Sequence, residues 1–277
     1  MSLTEIQLVG LDILKDVHRF CASNSIQYTV FGGTMIGAIR HCGFIPWDDD
    51  VDIAMPRPEY EKFVDSFFSD RGYRLFCPEN GTSWLPYGRV CDIKRTLAFD
   101  INAPWTTEST GVWIDVFPLD GSPDDIEQAQ NLLEQLWQKW RILTRYRAAH
   151  GLPIWKQKSL YSALRMMYYK ISLLCKPGIE TLINDYIALC KNVAFGSSSH
   201  FANYSYLGYG MREYQVLSEF DNIIKVPFED TEFCCISGYD KHMKSKYGDY
   251  MKMPPIEKRK NHSGYKFYWI DNDGYSE

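Results

Sequence analysis

The most informative stretch of the sequence, residues Gly32 to Met55, reads GGTMIGAIRHCGFIPWDDDVDIAM. A short β-branched and aromatic run, residues 27–31, ends at Gly32-Gly33, and a helical pattern begins at Thr34. Glycines between a strand and a helix let a phosphate approach the free backbone N–H groups at the helix N-terminus. Thr34 adds a hydroxyl at that point. The segment therefore predicts a phosphate-binding turn made by the two glycines and Thr34.

The second half of the stretch concentrates acidic residues. Asp50 and Asp52 alternate with Val51 and Ile53, which is the pattern of a half-buried strand with both carboxylates on one face. At the usual strand rise the two lie roughly 6.6 to 7 Å apart. Two like charges this close favour a bound cation, and Mg²⁺ typically takes one or two carboxylates together with waters and substrate phosphates. The pattern predicts a divalent metal and phosphoryl chemistry on a nucleotide or similar polyphosphate.

A third acidic residue stands in a separate strand-like run. Asp115 interrupts the otherwise apolar segment Val112 to Phe117. Because a buried carboxylate requires a partner, we expect Asp115 to join the acidic pair. It would act either as a further metal ligand or as the base that deprotonates an attacking hydroxyl. The sequence thus predicts Asp50, Asp52 and Asp115 as the catalytic carboxylates.

Other interpretations of the acidic cluster fit less well. In a calcium loop that starts at Asp48, the sixth position would be Ile53, where the turn requires glycine. Neither a Walker loop nor the dinucleotide-binding fingerprint occurs in the chain. The remaining structural interpretation is a solvated turn that caps a helix. The upstream glycines and the downstream Asp115 favour a functional site over that turn.

Composition excludes several classes of protein. The 277 residues carry 35 Asp+Glu and 30 Lys+Arg, and 45% are hydrophobic, which excludes a disordered chain and suits one large domain or two small ones. A mildly acidic chain is a poor partner for a nucleic acid polymer, so none is expected. The cysteines are scattered, and neither a signal peptide nor an apolar run of about 18 residues is found. These features predict a reduced, cytoplasmic protein.

The predicted organisation has three parts and an α+β fold class. Residues 1–122 form the catalytic core with a mixed sheet flanked by helices, and residues 123–200 form a helical segment packed on it. Residues 201–277 add short strands, a helix and a tail that complete the same unit. The polar residues 271–277 predict a frayed end.

Two motifs beyond the opening stretch carry a resemblance. Residues 32–55, residues 111–121 (GVWIDVFPLDG) and residues 247–255 (YGDYMKMPP) resemble the LicD family. That family includes bacterial phosphocholine transferases, has a nucleotidyltransferase-like fold, and counts fukutin and its relatives as distant members. The long connection between Gly-Gly and the acidic pair is typical of LicD-like sequences. Asn261-His262 departs from the paired histidines that such chains often carry, which leaves any role of His262 open.

The resemblance implies a Mg²⁺-dependent phosphotransferase. Such an enzyme moves a phospho-alcohol, phosphocholine foremost, from a CDP-alcohol to a sugar hydroxyl of a bacterial surface glycan and releases CMP. Asp50 and Asp52 would hold Mg²⁺, as two ions or with Mn²⁺ in their place, assisted by Asp48 or Asp49. Asp115 would be ligand or base. The surface glycan could be lipopolysaccharide, capsule or teichoic acid.

The resemblance also implies roles for the residues around the glycines. Gly32, Gly33 and Thr34 would bind phosphate, and Arg40 would neutralise charge on the transferred group through its planar guanidinium. A surface ion pair is the alternative for Arg40.

Several side chains near the motifs have structural interpretations that we prefer. Arg89 and Lys94 flank Asp92 on a predicted strand, which favours a salt bridge over substrate contact. Choline would require aromatic faces around its ammonium, although in a chain this rich in aromatics such rings are more often packing. The sequence offers candidates near the motifs: Trp47, Trp84, Tyr87, Trp105 and Trp113.

The predicted helix at Leu160 to Cys175 combines apolar residues with Arg165 and Lys170. Packing on the catalytic core is favoured over peripheral contact with the inner face of the membrane, because interfacial helices usually carry more cations. Membrane contact would suit a lipid-linked sugar acceptor.

Two other functions compete with the phosphotransferase. A nucleotidyltransferase would move a nucleotide from an NTP to a small acceptor and release pyrophosphate. A non-catalytic glycan- or nucleotide-binding module would retain the fold without turnover. The three intact carboxylates favour an enzyme over the binding module.

Overall fold

The computed structural model describes residues 1–100, 110–150, 159–259, 261, 264–271 and 274–276. The helices are α1 (Leu3–Ser23), α2 (Gly32–His41), α3 (Arg57–Ser66), α4 (Ile126–His150), α5 (Leu160–Leu173), α6 (Ile179–Cys190) and α7 (Tyr239–Tyr247). The strands of the first half are β1 (Thr29–Val30), β2 (Asp52–Pro56), β3 (Arg74–Phe76), β4 (Gly88–Asp92), β5 (Thr96–Asp100) and β6 (Val112–Ser122). Those of the second half are β7 (His200–Ala202), β8 (Gln215–Val216), β9 (Ile223–Phe228), β10 (Thr231–Ile236), β11 (Tyr265–Asp271) and β12 (Gly274–Ser276).

A mixed sheet organises the molecule. Its strand order is β1-β2-β6-β4-β3, and β7 and β8 continue it from the far end of β6. The β2–β6 pair is parallel, whereas β4 and β7 run antiparallel to β6. The predicted α+β class with a mixed sheet flanked by helices is confirmed.

The long central strand β6 connects the parts of the fold. Its residues are buried except for the half-buried Trp113, which explains the near-continuous apolar run in the sequence. One end of β6 pairs with β2 and β4, and the other end pairs with β7. β6 therefore extends from the acidic residues to the helical part of the chain.

Two hydrophobic clusters stabilise the structure. The larger one includes buried side chains of α1, α2, the sheet and the β9–β10 hairpin. The smaller one joins α4 and α6 through residues such as Leu136 and Tyr186, and includes Tyr204 and Leu207. The assignment of residues 1–122, 123–200 and 201–277 to separate parts stays a prediction.

Three local expectations need correction. β2 begins at Asp52, so Asp50 precedes the strand instead of lying in it. The frayed end expected at residues 271–277 is not found in the described part of that range, because β12 pairs with β11, which in turn pairs with β5. The main contacts of α5 are with α4 and not with the catalytic core that the sequence favours; Met166 is buried, and the other face of the helix is exposed. No helix of the described residues is long and apolar enough to span a membrane.

Candidate active site

The sheet brings the predicted carboxylates together. Asp52 of β2 lies directly opposite Asp115 of β6 in the parallel register. The Asp115 N–H donates to the Val51 carbonyl at 2.8 Å, and the Phe31 N–H donates to the Asp52 carbonyl at 2.9 Å. These backbone bonds fix the two acidic residues beside the start of α2. Asp50 lies just before β2 and lines the same cavity as Asp115.

The two glycines make room for acidic side chains. A methyl group at Gly32, whose φ is +54°, would overlap with the Asp52 carboxylate. A methyl group at Gly33 would come within 2.5 Å of Asp48 Oδ2. The Asp48 and Asp52 carboxylates therefore lie directly against the first turn of α2. Residues with a side chain in place of the two glycines would clash with these carboxylates. This contact is one requirement for the Gly-Gly pair, and the predicted phosphate contact stays a prediction.

Thr34 supports the site from within. Its side chain is buried, and its hydroxyl oxygen accepts the backbone N–H of Asp52 at 2.8 Å. The hydroxyl thereby ties α2 to the first residue of β2. The structure shows Thr34 positioning Asp52, which is a different contact from the phosphate contact that the sequence suggests.

Burial and mutual repulsion shift the titration of the acidic cluster. Burial, together with the charge of Asp48, raises the pKa of Asp50 to about 8. Burial and the charge of Asp49 raise the pKa of Asp48 to about 6. The pKa of Asp52 lies well above its ordinary value, because the half-buried side chain loses hydration and lies beside the charges of Asp50 and Asp115. These shifts mean that the protein alone does not balance the negative charge gathered here.

Arg89 is the basic partner of Asp115. Its Nε donates to Asp115 Oδ1 at 2.7 Å, and its guanidinium lies 4.4 Å from the centre of the Trp113 ring. Burial raises the pKa of Asp115, and Arg89 opposes that rise. Arg89 and Asp115 are direct partners in the antiparallel β4–β6 register. The expected pairing of Arg89 with Asp92 is therefore wrong.

Asp92 pairs with a different arginine. The Arg95 Nε donates to Asp92 Oδ2 at 2.5 Å in the turn that follows β4. Arg89 and Asp92 lie on opposite faces of β4, because side chains alternate along a strand. The pairing of β4 with β6 therefore determines the acid with which Arg89 forms an ion pair. Arg89 thus belongs to the site, for which the sequence predicted Arg40 as the basic residue.

Lys246 of α7 is a second cation that sequence reasoning missed. Its ammonium is buried, forms an ion pair with Glu213 at 2.6 Å, and lies 4.2 Å from the centre of the Phe31 ring. Its positive charge opposes the rise in the pKa of Asp52. Lys246 lies in the last turn of α7, and no local sequence pattern indicates that this lysine turns inward. Asp115 forms an ion pair with Arg89, and Lys246 forms one with Glu213. Among the described residues, Asp48, Asp50 and Asp52 form no ion pair with a basic side chain.

Aromatic rings form a continuous series beside these charges, which we call the aromatic group. Ring centroids are separated by 4.7 Å between Tyr87 and Phe117, 6.4 Å between Phe117 and Tyr206, and 6.0 Å between Tyr206 and Tyr209. Tyr247 follows at 5.4 Å from Tyr209. Burial raises the pKa of Tyr206, and so does the charge of the nearby carboxylates. The aromatic group therefore borders the acidic cluster.

The aromatic candidates from the sequence divide between the site and other places. Tyr87 belongs to the aromatic group, and Trp113 lies under Arg89. Trp84 stacks on Trp140 of α4, and Trp47 lies beneath Arg259. Trp105 lies outside the described residues, as does His262.

A small cavity opens beside the carboxylates. Its volume is about 170 Å³, and three sheet strands and the segment before β2 surround it. The charged lining consists of Asp49, Asp50, Arg89 and Asp115. Tyr265 and Phe267 of β11 line the opposite side. The C-terminal strands, which the sequence suggested only as completing the unit, therefore contribute to the site.

Arg40 lies near a second arginine rather than in an ion pair. Its Nη1 donates to the Tyr250 carbonyl at 2.6 Å, and its Nε donates to His41 Nε2 at 3.0 Å. Burial lowers the pKa of Arg40, and so does the charge of Arg259. Among the described residues Arg40 forms no salt bridge with a carboxylate. The surface ion pair considered for it is not found, and its contact with phosphate stays a prediction.

The donor set suits a hard cation that arrives with its substrate. In the part of the chain that the structure describes, no three acidic, histidine or cysteine side chains are already arranged to hold a metal ion together. Mg²⁺, however, is usually held by one or two carboxylates, with waters and substrate phosphates as its other ligands. Carboxylates whose pKa values are raised by mutual repulsion are stabilised by such a cation.

Comparisons with known proteins found a family match and similar individual proteins. Residues 25–156 match the family model described as LicD/FKTN/FKRP, nucleotidyltransferase domain. The chain is 31% identical over 272 residues to the lipopolysaccharide cholinephosphotransferase LicD of Haemophilus influenzae, covering 95% of this chain and 96% of that protein. An uncharacterized protein of Rickettsia typhi is 38% identical over 65 residues, which is 23% of this chain and 21% of that protein. All the predicted carboxylates fall within the matched residues.

Proposed function

The chain belongs to the LicD family and is a transferase of phosphorus-containing groups, and on that basis we propose that it transfers phosphocholine. The donor is CDP-choline, the acceptor is a sugar hydroxyl of a bacterial surface glycan, and the second product is CMP. The observation that carries this proposal is the acidic cluster against the Gly-Gly turn, in which Asp115 is ion-paired with Arg89 while Asp48, Asp50 and Asp52 form no ion pair with a basic side chain of the described residues.

Divalent metal is part of the proposal. Asp50 and Asp52 would hold Mg²⁺, with Asp48 and Asp115 as further ligands, and Mn²⁺ is a chemically suitable replacement. When bound, the metal supplies positive charge to the phosphate oxygens of the donor. Two ions would account best for four carboxylates in one place.

The transfer itself requires positioning and proton movement. The acceptor hydroxyl oxygen forms a bond to the phosphorus nearest the choline, the bond from that phosphorus to the CMP oxygen breaks, and the hydroxyl proton passes to a carboxylate. Asp115 suits either role left open for it. Arg89 donates to its Oδ1, and a carboxylate has further lone pairs that can coordinate metal or accept the proton.

The aromatic group provides a site for the choline end of the donor. A quaternary ammonium is attracted to aromatic faces, and the rings of Tyr206, Tyr209 and Tyr247 adjoin the carboxylates that would hold the phosphates. Tyr206 remains 47% exposed, so its ring is accessible to a ligand. Lys246 lies 4.5 Å from the centre of the Tyr209 ring, so one ring of the group already contacts a cation, and Tyr206 is the ring proposed to receive the ammonium.

The relative in Haemophilus influenzae indicates the class of acceptor. Its name assigns it to lipopolysaccharide, so we propose a lipid-linked glycan of this kind as the acceptor here. Capsule and teichoic acid glycans are the alternatives. Such an acceptor places the reaction in the cytoplasm at the inner face of the membrane.

Product analysis tests the proposal. Purified protein is incubated with Mg²⁺ and CDP-choline or CTP, with a deacylated surface glycan as acceptor, and nucleotide products are separated by chromatography. We expect CMP from CDP-choline, and loss of that product in Asp52→Asn. Pyrophosphate from CTP would instead identify a nucleotidyltransferase, and folded protein without either product would identify a binding module.

A further inference from the structure

One face of α5 is apolar and exposed. Its outward residues retain between 52% and 79% of their accessible surface although they are large and hydrophobic. They are Leu160, Tyr161, Leu164, Tyr168, Ile171 and, directly after the helix, Leu174. Exposed apolar side chains on this scale mark a surface that contacts something else.

The arrangement of this face matches an interfacial helix. At 3.6 residues per turn, the exposed apolar residues cover an arc of about 140°. The opposite side packs on α4 and buries Met166. Arg165 and Lys170 fall just outside the two edges of the arc, where long basic side chains reach polar headgroups while their carbon stems stay near apolar surface.

The segment that contains α5 is basic, and two of its cations, Lys139 and Arg147, pair with Asp185 and Asp100 outside it. Residues 135–179 contain nine Lys+Arg and no Asp or Glu, which leaves 21 Lys+Arg and all 35 Asp+Glu to the rest of the chain. Arg145 of α4 contributes to the same surface, since its guanidinium lies 6.0 Å from the centre of the Tyr168 ring. The mildly acidic overall balance therefore conceals a basic segment that includes α5.

We propose that this face of α5 docks on a membrane leaflet that contains anionic lipids. Apolar side chains would enter the boundary between headgroups and acyl chains, and the flanking cations would lie among the phosphates. A second copy of the chain fits the surface less well, because it would place the same cations opposite one another. This inference goes beyond the transfer reaction, and lipid binding is measured without any substrate.

Sedimentation with vesicles tests the proposal. We expect the wild-type protein to bind vesicles of phosphatidylglycerol and phosphatidylcholine, and to bind pure phosphatidylcholine at least tenfold more weakly. Leu164→Gln with Ile171→Gln should weaken binding at least tenfold, because it removes two apolar contacts with the acyl region. Leu8→Gln with Phe68→Gln is the matched control, since both side chains are exposed on other helices or loops. Arg165→Gln with Lys170→Gln should remove most of the dependence on salt.

Several outcomes would overturn the proposal. Equal binding of the two vesicle types, or equal binding by the α5 variant and its control, would show that this face does not recognise anionic lipid. Sedimentation equilibrium provides the other decisive result. A wild-type dimer that the α5 variant converts to monomer, without vesicle binding, would assign the face to self-association. Circular dichroism of each variant ensures that only folded protein is compared.

Discussion

The two ends of the β2–β6 pair differ in whether their acidic side chains are paired with a basic side chain. At one end Asp52 and Asp115 are direct partners, and Asp48 and Asp50 add further negative charge. At the other end, directly after β2, Arg57 donates through Nε and Nη2 to the two carboxylate oxygens of Asp120, both at 2.7 Å. The same pair of strands thus carries an acidic cluster that is mostly unbalanced and a carboxylate that is fully paired.

This difference separates stability from function. A buried bidentate pair balances the two opposite charges, and removing either partner leaves an uncompensated charge. The acidic cluster has the opposite property, because its carboxylates repel one another until a cation arrives. We therefore expect substitutions at the Arg57–Asp120 end to change folding, and substitutions at the Asp52 end to change catalysis.

The largest expected effect is on turnover. Asp52→Asn should lower kcat by roughly 10³-fold, the scale seen when a major electrostatic contribution to a transition state is removed. The free energy of unfolding should stay the same or rise, since one repelling charge is lost. Rates of CMP release and urea denaturation measure the two quantities. Asp70→Asn, at an exposed acid, is the matched control, and an equal loss of activity there would contradict the assignment.

The next largest effect is on stability. Arg57→Met should lower the free energy of unfolding by about 3–5 kcal/mol, because it leaves Asp120 buried without its partner. Adding Asp120→Leu should restore much of the loss, since a well-packed apolar pair often replaces a buried ion pair. Urea denaturation of the single and double variants gives both values. If Arg57→Met instead removed turnover from fully folded protein, the contrast between the two ends would be wrong.

A smaller effect tests the Gly-Gly turn. Gly33→Ala should lower kcat/KM by up to about 10²-fold, because the added methyl group displaces the Asp48 carboxylate and misplaces the reacting groups. Gly178→Ala is the control, since no atom lies within 4 Å of the position a methyl group would take there. Steady-state kinetics of both variants decide the matter. Unchanged kinetics in Gly33→Ala would show that Asp48 has no part in the reaction.

The smallest effect is a pH dependence of stability. The pKa values of Asp48 and Asp50 are raised to about 6 and about 8 in the folded state, so the folded protein holds protons that the unfolded chain releases. Without metal, stability should therefore fall as the pH rises from about 4 to about 8. Asp50→Asn should flatten the profile of Tm against pH. A metal-free profile that rises over this range would contradict the repulsion between these carboxylates.

The sequence predicts those parts of the site that depend on local pattern. The alternation around Asp52 and the lone acid in β6 indicated carboxylates that the structure brings together on neighbouring strands, because strand periodicity and apolar context are local properties. Arg89 and Lys246 were missed, since their roles depend on strand register and on the direction in which α7 packs. The same applies to Thr34, whose bond to the Asp52 N–H exists only once α2 and β2 are adjacent.

The exposed face of α5 shows a related limit. Apolar periodicity indicates an amphipathic helix but does not reveal whether its apolar side faces the core or the solvent. The helix itself carries only two cations, whereas the wider segment of residues 135–179 carries nine and no acid. This difference matters because the apolar face of α5 is exposed.

We expect the acidic cluster to bind the donor together with a divalent cation. Thermal unfolding of the wild-type protein and of the double variant Asp50→Asn with Asp52→Asn, with CDP-choline in the presence and absence of Mg²⁺, tests it most directly. A ligand that binds the folded state raises Tm by mass action. We expect CDP-choline to raise the Tm of the wild type only with Mg²⁺, and to leave the double variant unchanged in both conditions. An equal rise without Mg²⁺, or an equal rise in the double variant, would contradict the account.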